Sequence, residues 1–271
     1  MAKRRNELTE KRIAKLQKEG RGEGIGSDYK PWIRIHDFSS RGRVHRRFSQ
    51  RVRRIVHLLS DIEEDVFLKF DASELVVDIR EQFPLPRVDT LRIAEAHGYR
   101  HPQVRGVVAV MSTDFVIDLP GPRRIAIAVK SREELGKRCV LEKLDIERLY
   151  WLERRHDWHL IVDDAVSHDE RLHLQETAEW GSLDLLEGVD DWAERSRDLV
   201  LAIFSAEPRE RLLDVLKRVE GRCGWEAGDA LALAKHLLAC RSLSFVGNGR
   251  LDVFGPVEQL DVNEVSYVLA A

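Results

Sequence analysis

A short acidic segment, residues 57–68, combines a helical pattern of apolar residues with one misplaced charge. At 3.6 residues per turn its apolar side chains form a single stripe, which consists of Leu59, Ile62, Val66, Phe67 and Phe70. The acidic residues predicted to point away from that stripe are Asp61, Glu64 and Asp65. Glu63 falls inside the stripe, where a carboxylate is costly to bury unless a cation or a hydrogen-bond donor meets it.

Two interpretations of Glu63 follow from this pattern. Ser60-x-x-Glu63 is a capping box, in which Ser60 caps the helix and the Glu63 carboxylate accepts a hydrogen bond from the Ser60 backbone N–H. Alternatively, the carboxylate is functional, for example as a metal ligand. The apolar stripe by itself favours the structural cap.

Alternating apolar patterns further along predict a mixed α/β layer with a β-hairpin at its centre. Residues 74–80 predict a strand that buries Leu75, Val77 and Ile79 on one face. The hairpin strands, the helix and the last strand that follow are predicted at 107–118, 124–130, 138–155 and 158–162. Across the hairpin, Asp114 is predicted opposite position 127 or 128, which makes Lys130 its diagonal neighbour.

The composition changes at residues 167–170, and the pattern beyond them is mostly helical. We therefore expect two domains, 1–167 and 168–271. Helices are predicted at about 169–178, 191–204, 208–220 and 226–239. Two short strands, 242–245 and 250–254, flank Asn248-Gly249, which is a strong hairpin turn. Helices followed by such a hairpin resemble a winged helix, a domain that binds DNA in some proteins and other proteins elsewhere.

The net charge of −3 conceals a polarised chain. Residues 1–57 hold 17 Lys/Arg and 6 Asp/Glu, a balance of +11, whereas residues 168–271 hold 11 and 20, a balance of −9. The basic end favours nucleic acid as a partner, and the acidic end favours protein docking over DNA reading. Seven arginines without an acidic neighbour are predicted to bind phosphates: Arg41, Arg43, Arg46, Arg47, Arg51, Arg53 and Arg54.

Membrane insertion and secretion are not expected. No run approaches about 18 apolar residues, and no apolar segment follows the basic start of the chain. Its three cysteines are far apart and form no C-x-x-C pair, so we expect reduced thiols. The expected location is the cytoplasm.

Asp114, Lys130 and an acidic residue on a preceding helix together resemble the PD-(D/E)xK nucleases, whose core is a mixed sheet. Carboxylates hold Mg²⁺, which polarises a phosphate and activates water, while the lysine either orients that water or stabilises developing charge. Thr113 stands at the proline position of that pattern and Ala128 at its second acidic position. Because the second strand lacks a carboxylate, Glu63 could supply the missing metal ligand from its helix. The backbone carbonyl of Ala128 remains able to bind a metal.

Ten short runs across residues 15–160 are, in register, similar to the TnsA family, the endonuclease subunits of heteromeric TnsA–TnsB bacterial transposases. They are KEGRG at 18–22, DY at 28–29, PW at 31–32, HLLSD at 57–61, DIREQFPL at 78–85, MSTDF at 111–115, VK at 129–130, LEKL at 141–144, ER at 147–148 and YW at 150–151, together with Glu63. The part after residue 168 matches only in general layout.

The resemblance implies roles for individual residues. Glu63 and Asp114 would bind the catalytic Mg²⁺ or Mn²⁺, two ions in all, with the Ala128 carbonyl. Lys130 would be the catalytic lysine and Glu147 an accessory acidic residue. The resemblance makes the nucleic acid double-stranded DNA. The implied activity is hydrolysis at the 5′ ends of the transposon, while TnsB cuts and joins the 3′ ends, and the ATPase TnsC contacts the C-terminal region. Alternatives are a free-standing nuclease of this fold and a non-catalytic DNA-binding scaffold subunit.

Overall fold

The computed structural model describes residues 8–37, 43–49, 51–73, 75–163, 168–180, 192–239, 242–246 and 251–262. The chain divides into two compact units, Met1–Val166 and Ser167–Ala271. The helices of the first unit are α1 (Glu10–Lys18), α2 (Asp61–Asp71), α3 (Arg87–His97) and α4 (Arg138–Glu153). Its strands are β1 (His45–Ser49), β2 (Arg54–Leu58), β3 (Asp78–Pro84), β4 (Gln103–Val104), β5 (Val107–Val108), β6 (Ser112–Asp118), β7 (Arg124–Lys130) and β8 (Asp157–Val162).

The first unit is a mixed α/β structure built on a four-stranded sheet. Its strand order is β3–β6–β7–β8, with antiparallel pairs except for the parallel pair β7–β8. Strands β7 and β8 are parallel because α4, which lies between them in the chain, returns the chain to the end of the sheet at which β7 began. The predicted central hairpin is confirmed, and β7 spans the predicted residues. The first strand of that hairpin was predicted too long, because β6 begins at Ser112 and residues 107–108 belong to the separate hairpin β4–β5. Two further hairpins, β1–β2 and β4–β5, lie outside this sheet.

Helices cover the sheet and hold its strands in place. Helix α2 contacts β1, β2 and β7, whereas α3 and α4 contact each other and α4 contacts β8. An apolar cluster joins α3 and α4 to the sheet, formed by Leu85, Ile93, Ala94, Met111, Val116, Ala126, Ile146, Tyr150 and Trp151. Burying one of its large aliphatic side chains contributes about 1.5–3 kcal/mol, so this cluster is what positions α4 over β6 and β7.

The strand predicted at 74–80 is wrong in position. Leu75 and Val77, expected in the core, are 69% and 58% exposed, and β3 begins only at Asp78. The residues that β3 buries are mostly polar. Arg80, for example, is 6% exposed and donates to the Asp118 carboxylate on the neighbouring strand. An alternation of apolar residues cannot reveal a strand whose buried side chains are ion-paired.

The orientation predicted for Glu64 and Asp65 is also wrong, because each is only 1% exposed. Glu64 accepts a hydrogen bond from Arg47 Nε at 2.6 Å, across the interface between α2 and β1. The hairpin β1–β2 was not predicted, since its arginines hide the alternation. Its presence also shortens the predicted helix, which begins after β2 has ended at Leu58.

The second unit contains helices α5 (His168–Glu179), α6 (Trp192–Phe204), α7 (Leu212–Cys223) and α8 (Asp229–Ala239), followed by strands β9 (Leu243–Phe245) and β10 (Leu260–Val262). The four predicted helices are confirmed. Three of them share an apolar core in which Leu199, Leu216 and Leu233 are at most 1% exposed. No helix within the described ranges is long and apolar enough to cross a membrane.

The hairpin predicted around Asn248-Gly249 is only partly correct. Strand β9 forms as expected, but it pairs antiparallel with β10 instead of with 250–254. The Gln259 side chain bonds to both the N–H and the C=O of Asp252, at 2.9 and 2.7 Å, which takes the groups that a strand partner would need. The turn itself, Asn248-Gly249, lies outside the described residues.

Candidate active site

The β-ladder between β6 and β7 ends at the pair Phe115–Ile127, and Asp114 is the next residue on β6. Continuing the register puts Asp114 opposite Ala128, one of the two predicted positions. Beyond the ladder its carboxylate replaces a backbone acceptor: Oδ2 accepts from the Val129 N–H at 2.7 Å and from Lys130 Nζ at 3.1 Å. The hairpin therefore brings the aspartate and the lysine together as expected.

Glu63 lies in the first turn of α2 and combines both interpretations offered by its sequence. Ser60 Oγ caps the helix by accepting from the Glu63 N–H at 3.1 Å. The Glu63 carboxylate, however, accepts from the backbone N–H of Leu59 at 3.0 Å and not from that of Ser60. Because its side chain turns back towards the end of β2, Glu63 is 7% exposed and close enough to Asp114 and Lys130 to interact with their charges.

The charges of these groups shift one another's protonation. Burial, followed by the negative charge of Asp114, raises the pKa of Glu63 to about 8. Burial works in the same direction on Asp114, but Lys130 and the Val129 N–H outweigh it and lower the Asp114 pKa. Burial works to lower the Lys130 pKa, but Asp114 and Glu147 outweigh it, so the pKa is raised and the amine stays protonated.

Glu147 on α4 is the third buried carboxylate of the group. It is 2% exposed and accepts a hydrogen bond from Trp158 Nε1 at 3.3 Å. Burial and then the charge of Asp114 raise the pKa of Glu147 to about 7, against the opposing effect of Lys143 and Lys130. A carboxyl group with such a pKa can hold or release a proton near neutral pH.

Gln82 on β3 is a further member of the site that the sequence interpretation missed. Its Nε2 donates to Asp114 Oδ1 at 3.2 Å, and its Oε1 accepts from Ser112 Oγ at 2.9 Å. Its side chain is also close enough to Glu63 to lower the pKa of that carboxyl group, so it interacts with both proposed metal ligands. The backbone is in the left-handed region at φ 47°, which costs a residue other than glycine on the order of 1 kcal/mol. The register with β6 would have pointed to Gln82, had β3 been placed correctly.

These oxygen atoms suit a hard divalent cation. Glu63 and Asp114 are two neighbouring carboxylates whose repulsion a cation relieves, and the fully buried residue Ala128 is opposite Asp114 when the register is continued. Among the described residues there is no group of three or more His, Cys, Asp or Glu side chains arranged around one metal position. A cation here would therefore depend on two carboxylates, with backbone or substrate oxygens completing its shell.

The predicted DNA-binding arginines divide into two groups. Three are engaged within the fold: Arg47 donates to Glu64, Arg51 to the carbonyls of Asp71 and Val76, and Arg54 to both carboxylate oxygens of Glu81 at 2.9 and 2.7 Å. Arg54 is 9% exposed, so its guanidinium is not presented to a phosphate.

The other group lies on the surface of the hairpin. Arg43, Arg46 and Arg53 are exposed, although Arg43 also approaches Asp61 at 3.5 Å and Arg53 lies over the Phe48 ring at 5.9 Å. Arg41 lies outside the described residues. Both groups come from one basic segment, and only the pairing of β1 with β2 distinguishes them.

Comparisons with known proteins place the chain in a family. Residues 73–163, which contain β3 and the whole of β6–β7–α4–β8, match the family model of the TnsA-like endonuclease N terminal domain. The chain is 37% identical over 247 residues to the transposon Tn7 transposition protein TnsA of Escherichia coli, an alignment that covers 90% of this chain and 89% of that protein. The chain therefore belongs to the TnsA family and carries a TnsA-like endonuclease domain.

Proposed function

We propose that this TnsA-family endonuclease hydrolyses the phosphodiester at the 5′ ends of a transposon, on the strand that is not transferred, and that a TnsB transposase acts on the 3′ ends. The observation that carries the proposal is the convergence of Glu63, Asp114 and Lys130 at the point where the β6–β7 ladder opens. The similarity to the Tn7 transposition protein supports the same assignment.

The site would use Mg²⁺ or Mn²⁺, with two ions proposed. Glu63, Asp114 and the Ala128 carbonyl would hold the metal, and its chemistry is to polarise the scissile phosphate and to lower the pKa of the attacking water. The arrangement of the sheet around Asp114 and Lys130 supports a PD-(D/E)xK nuclease core for residues 1–167.

Lys130 has an electrostatic role in this proposal. Its raised pKa keeps Nζ protonated, so it stabilises the negative charge that develops on the phosphate and does not act as a base. Glu147, whose pKa is about 7, would take up or release a proton near Lys130 and is proposed as the accessory acidic residue. Gln82 would hold the Asp114 carboxylate in one orientation through its Nε2.

The decisive experiment maps cleavage strand by strand in a complex with TnsB on a DNA that carries a transposon end. Asp114→Asn should abolish the 5′ cut and leave the 3′ cut. Asp157→Asn, at an exposed position on β8, is the matched control and should cut both strands. A 5′ cut at the wild-type rate by Asp114→Asn would overturn the assignment.

The hairpin β1–β2 would bind the DNA backbone through Arg43, Arg46 and Arg53. Removing one arginine that binds a phosphate should reduce the slope of log affinity against log salt by about 1. Replacing these three arginines by glutamine should therefore flatten the slope, whereas an unchanged slope would assign them to another role. In this proposal Arg47, Arg51 and Arg54 support the hairpin from within.

Residues 168–271 would form a winged-helix-like domain that binds a regulatory partner, the ATPase TnsC. The balance of −9 in this segment supports a basic protein surface as the partner more than DNA. Deleting 168–271 should preserve cutting by the first unit with TnsB but remove the response to TnsC. The protein would act in the bacterial cytoplasm, at the nucleoid.

A further inference from the structure

A cavity of about 490 Å³ lies beside the hairpin β1–β2, between it and the segment that precedes it. The residues that line it are Ser27, Asp28, Tyr29, Lys30, Pro31, Arg34, Arg54, Ile55 and His57. Three lysine or arginine residues and a histidine face one carboxylate, and the Arg54 charge is already compensated by Glu81. The catalytic group formed by Glu63, Asp114, Lys130 and Glu147 contributes no residue to this lining.

Two buried nitrogen atoms at this cavity lack a hydrogen-bond partner among the described residues: Arg34 Nε and His57 Nδ1. A guanidinium Nε always carries a proton, so Arg34 presents a donor without an acceptor. Leaving a buried donor unsatisfied is costly, and more so for a charged group. An oxyanion with several acceptor oxygens would supply the acceptor that Arg34 lacks and, with His57 as a donor, an acceptor for that ring as well.

The electrostatic surroundings of His57 point to the same kind of ligand. Burial, followed by the positive charges of Arg34, His36, Arg46 and Arg54, lowers the pKa of His57 to about 4. Burial and then the charge of Arg21 also lower the pKa of Arg34, against the opposing effect of Asp37, Glu19 and Glu81. A neutral ligand would not relieve this concentration of positive charge, whereas an anion would.

The position of the cavity selects the source of the anion. His57 is the direct cross-strand partner of Arg46 in the β1–β2 ladder, and Arg46 is exposed. The cavity therefore continues the surface along which the hairpin presents Arg46 and Arg53. A DNA strand that follows that surface would bring a backbone phosphate to the mouth of the cavity.

We propose that Arg34 and His57 form a subsite for one phosphodiester group of the DNA backbone. This subsite is separate from the proposed catalytic residues, and both of its residues lie outside the arginine-rich segment 41–54. The proposal rests on the proposed function in so far as the ligand is DNA. It predicts a contact at one defined phosphate in addition to the contacts of the exposed arginines on the hairpin.

Methylphosphonate scanning of the DNA tests the subsite in the full-length chain. Each duplex carries one neutral methylphosphonate, and its affinity is measured for the wild type, for Arg34→Gln and for Arg138→Gln. Arg138 is the control because its side chain is 89% exposed on α4, and its replacement removes the same charge. One methylphosphonate should weaken wild-type binding about 5- to 10-fold and have no further effect in Arg34→Gln.

Arg34→Lys keeps the charge and guards against a folding artefact. It should recover part of the affinity that Arg34→Gln lacks, and both variants should retain the wild-type unfolding temperature. If every methylphosphonate weakens Arg34→Gln as much as the wild type, the subsite is overturned. It is equally overturned if inorganic phosphate shifts the His57 ring signals in NMR but no position on the DNA couples to Arg34, because the anion is then not a DNA phosphate.

Failure of the subsite is distinguishable from failure of the proposed function. Asp114→Asn reports on cleavage and should show the wild-type methylphosphonate profile, since Asp114 does not line the cavity. Arg34→Gln reports on the subsite alone, through the coupling between this substitution and one methylphosphonate position. An absence of that coupling, while the wild type still cuts and Asp114→Asn does not, therefore removes only the subsite.

Discussion

Two clusters of buried charges in the first unit differ in whether their positive and negative groups are equal in number. In one, Arg54 meets Glu81 through two hydrogen bonds, and each partner is completed by the backbone: Arg54 donates to the Ile79 carbonyl at 2.7 Å, and Glu81 accepts from the His57 N–H at 3.1 Å. One cation faces one anion, and each group has its hydrogen-bond partners.

In the other cluster three carboxylates, those of Glu63, Asp114 and Glu147, face Lys130 and the neighbouring Lys143. Burial and then the negative charge of Asp114 raise the pKa of Glu63 and of Glu147. Glu81, in contrast, has its own cation in Arg54. A buried ion pair with satisfied partners holds the fold together. A buried cluster with surplus negative charge suits a cation that the chain itself does not supply. This difference separates the proposed catalytic centre from the ion pair that supports the hairpin.

The largest expected effect is on cleavage. Glu63→Gln removes a proposed metal ligand, so the rate of 5′ cleavage should fall by at least ~100-fold, as for other groups that stabilise a transition state directly. The free energy of unfolding should stay the same or rise, because a neutral amide relieves the repulsion by Asp114. Strand-resolved cleavage and urea unfolding together check this; a large decrease in stability would instead assign Glu63 a structural role.

The balanced cluster should respond in the opposite way. Glu81→Gln leaves the buried Arg54 without its carboxylate, and breaking such a pair costs about 3–5 kcal/mol. The same urea unfolding experiment measures this decrease. Glu153→Gln, which breaks the exposed pair with Arg92, is the control and should cause no comparable change. Comparable stability in both variants would mean that Arg54 and Glu81 do not support the fold.

Gln82 should have an intermediate effect, because it acts on the catalytic cluster through Asp114. Gln82→Ala removes the hydrogen bond to Asp114, and partners of this kind typically contribute 10- to 100-fold to metal affinity or activity. The Mn²⁺ concentration needed for half-maximal cleavage should rise by about that factor. Gln82→Asn, which keeps an amide and tolerates a positive φ, should recover part of it. Equal Mn²⁺ requirements in all three proteins would remove Gln82 from the site.

The smallest expected effect is on the pH dependence of stability without metal. The pKa values of Glu63 and Glu147 in the folded protein, about 8 and about 7, lie above the ordinary value of 4.5. The stabilisation that these two groups give the folded protein is therefore fully present below about pH 4.5, and it is lost as the pH rises through 7 and 8. In EDTA the free energy of unfolding should fall by about 1–3 kcal/mol between about pH 5.5 and pH 8.

The matched variant for this pH effect is the double substitution Glu63→Gln and Glu147→Gln. It should flatten the profile, since neither side chain then titrates. A decrease of equal size in the double variant would assign the pH dependence to other groups.

Local sequence patterns predicted the β6–β7 hairpin because its strands and its turn are each encoded by residues that are close together in the chain. Alternating Ile125, Ile127 and Val129, together with a proline-glycine turn, define β7, and the antiparallel register then brings Lys130 to Asp114. The inward direction of Glu63 was predictable for the same reason, since the helical period places it in the apolar stripe.

The features that were not predicted depend on contacts between residues that are far apart in the chain. Arg54 and Glu81 are 27 residues apart, and each looks like a surface residue until the other is placed against it. Strand β3 was misplaced for this reason, and Gln82 was missed with it. The division of the arginines into exposed and ion-paired groups likewise requires the β1–β2 pairing, which no alternation of apolar residues indicates.

The most direct test of the central contrast is Mn²⁺ binding to the full-length protein, measured by the electron paramagnetic resonance signal of the free ion. The wild type and Glu81→Gln should bind Mn²⁺ with similar affinity, as long as both are folded at the temperature used. Glu63→Gln and Asp114→Asn should each bind at least ~10-fold more weakly. Wild-type Mn²⁺ affinity in both Glu63→Gln and Asp114→Asn would contradict the assignment of the unbalanced cluster as the metal site.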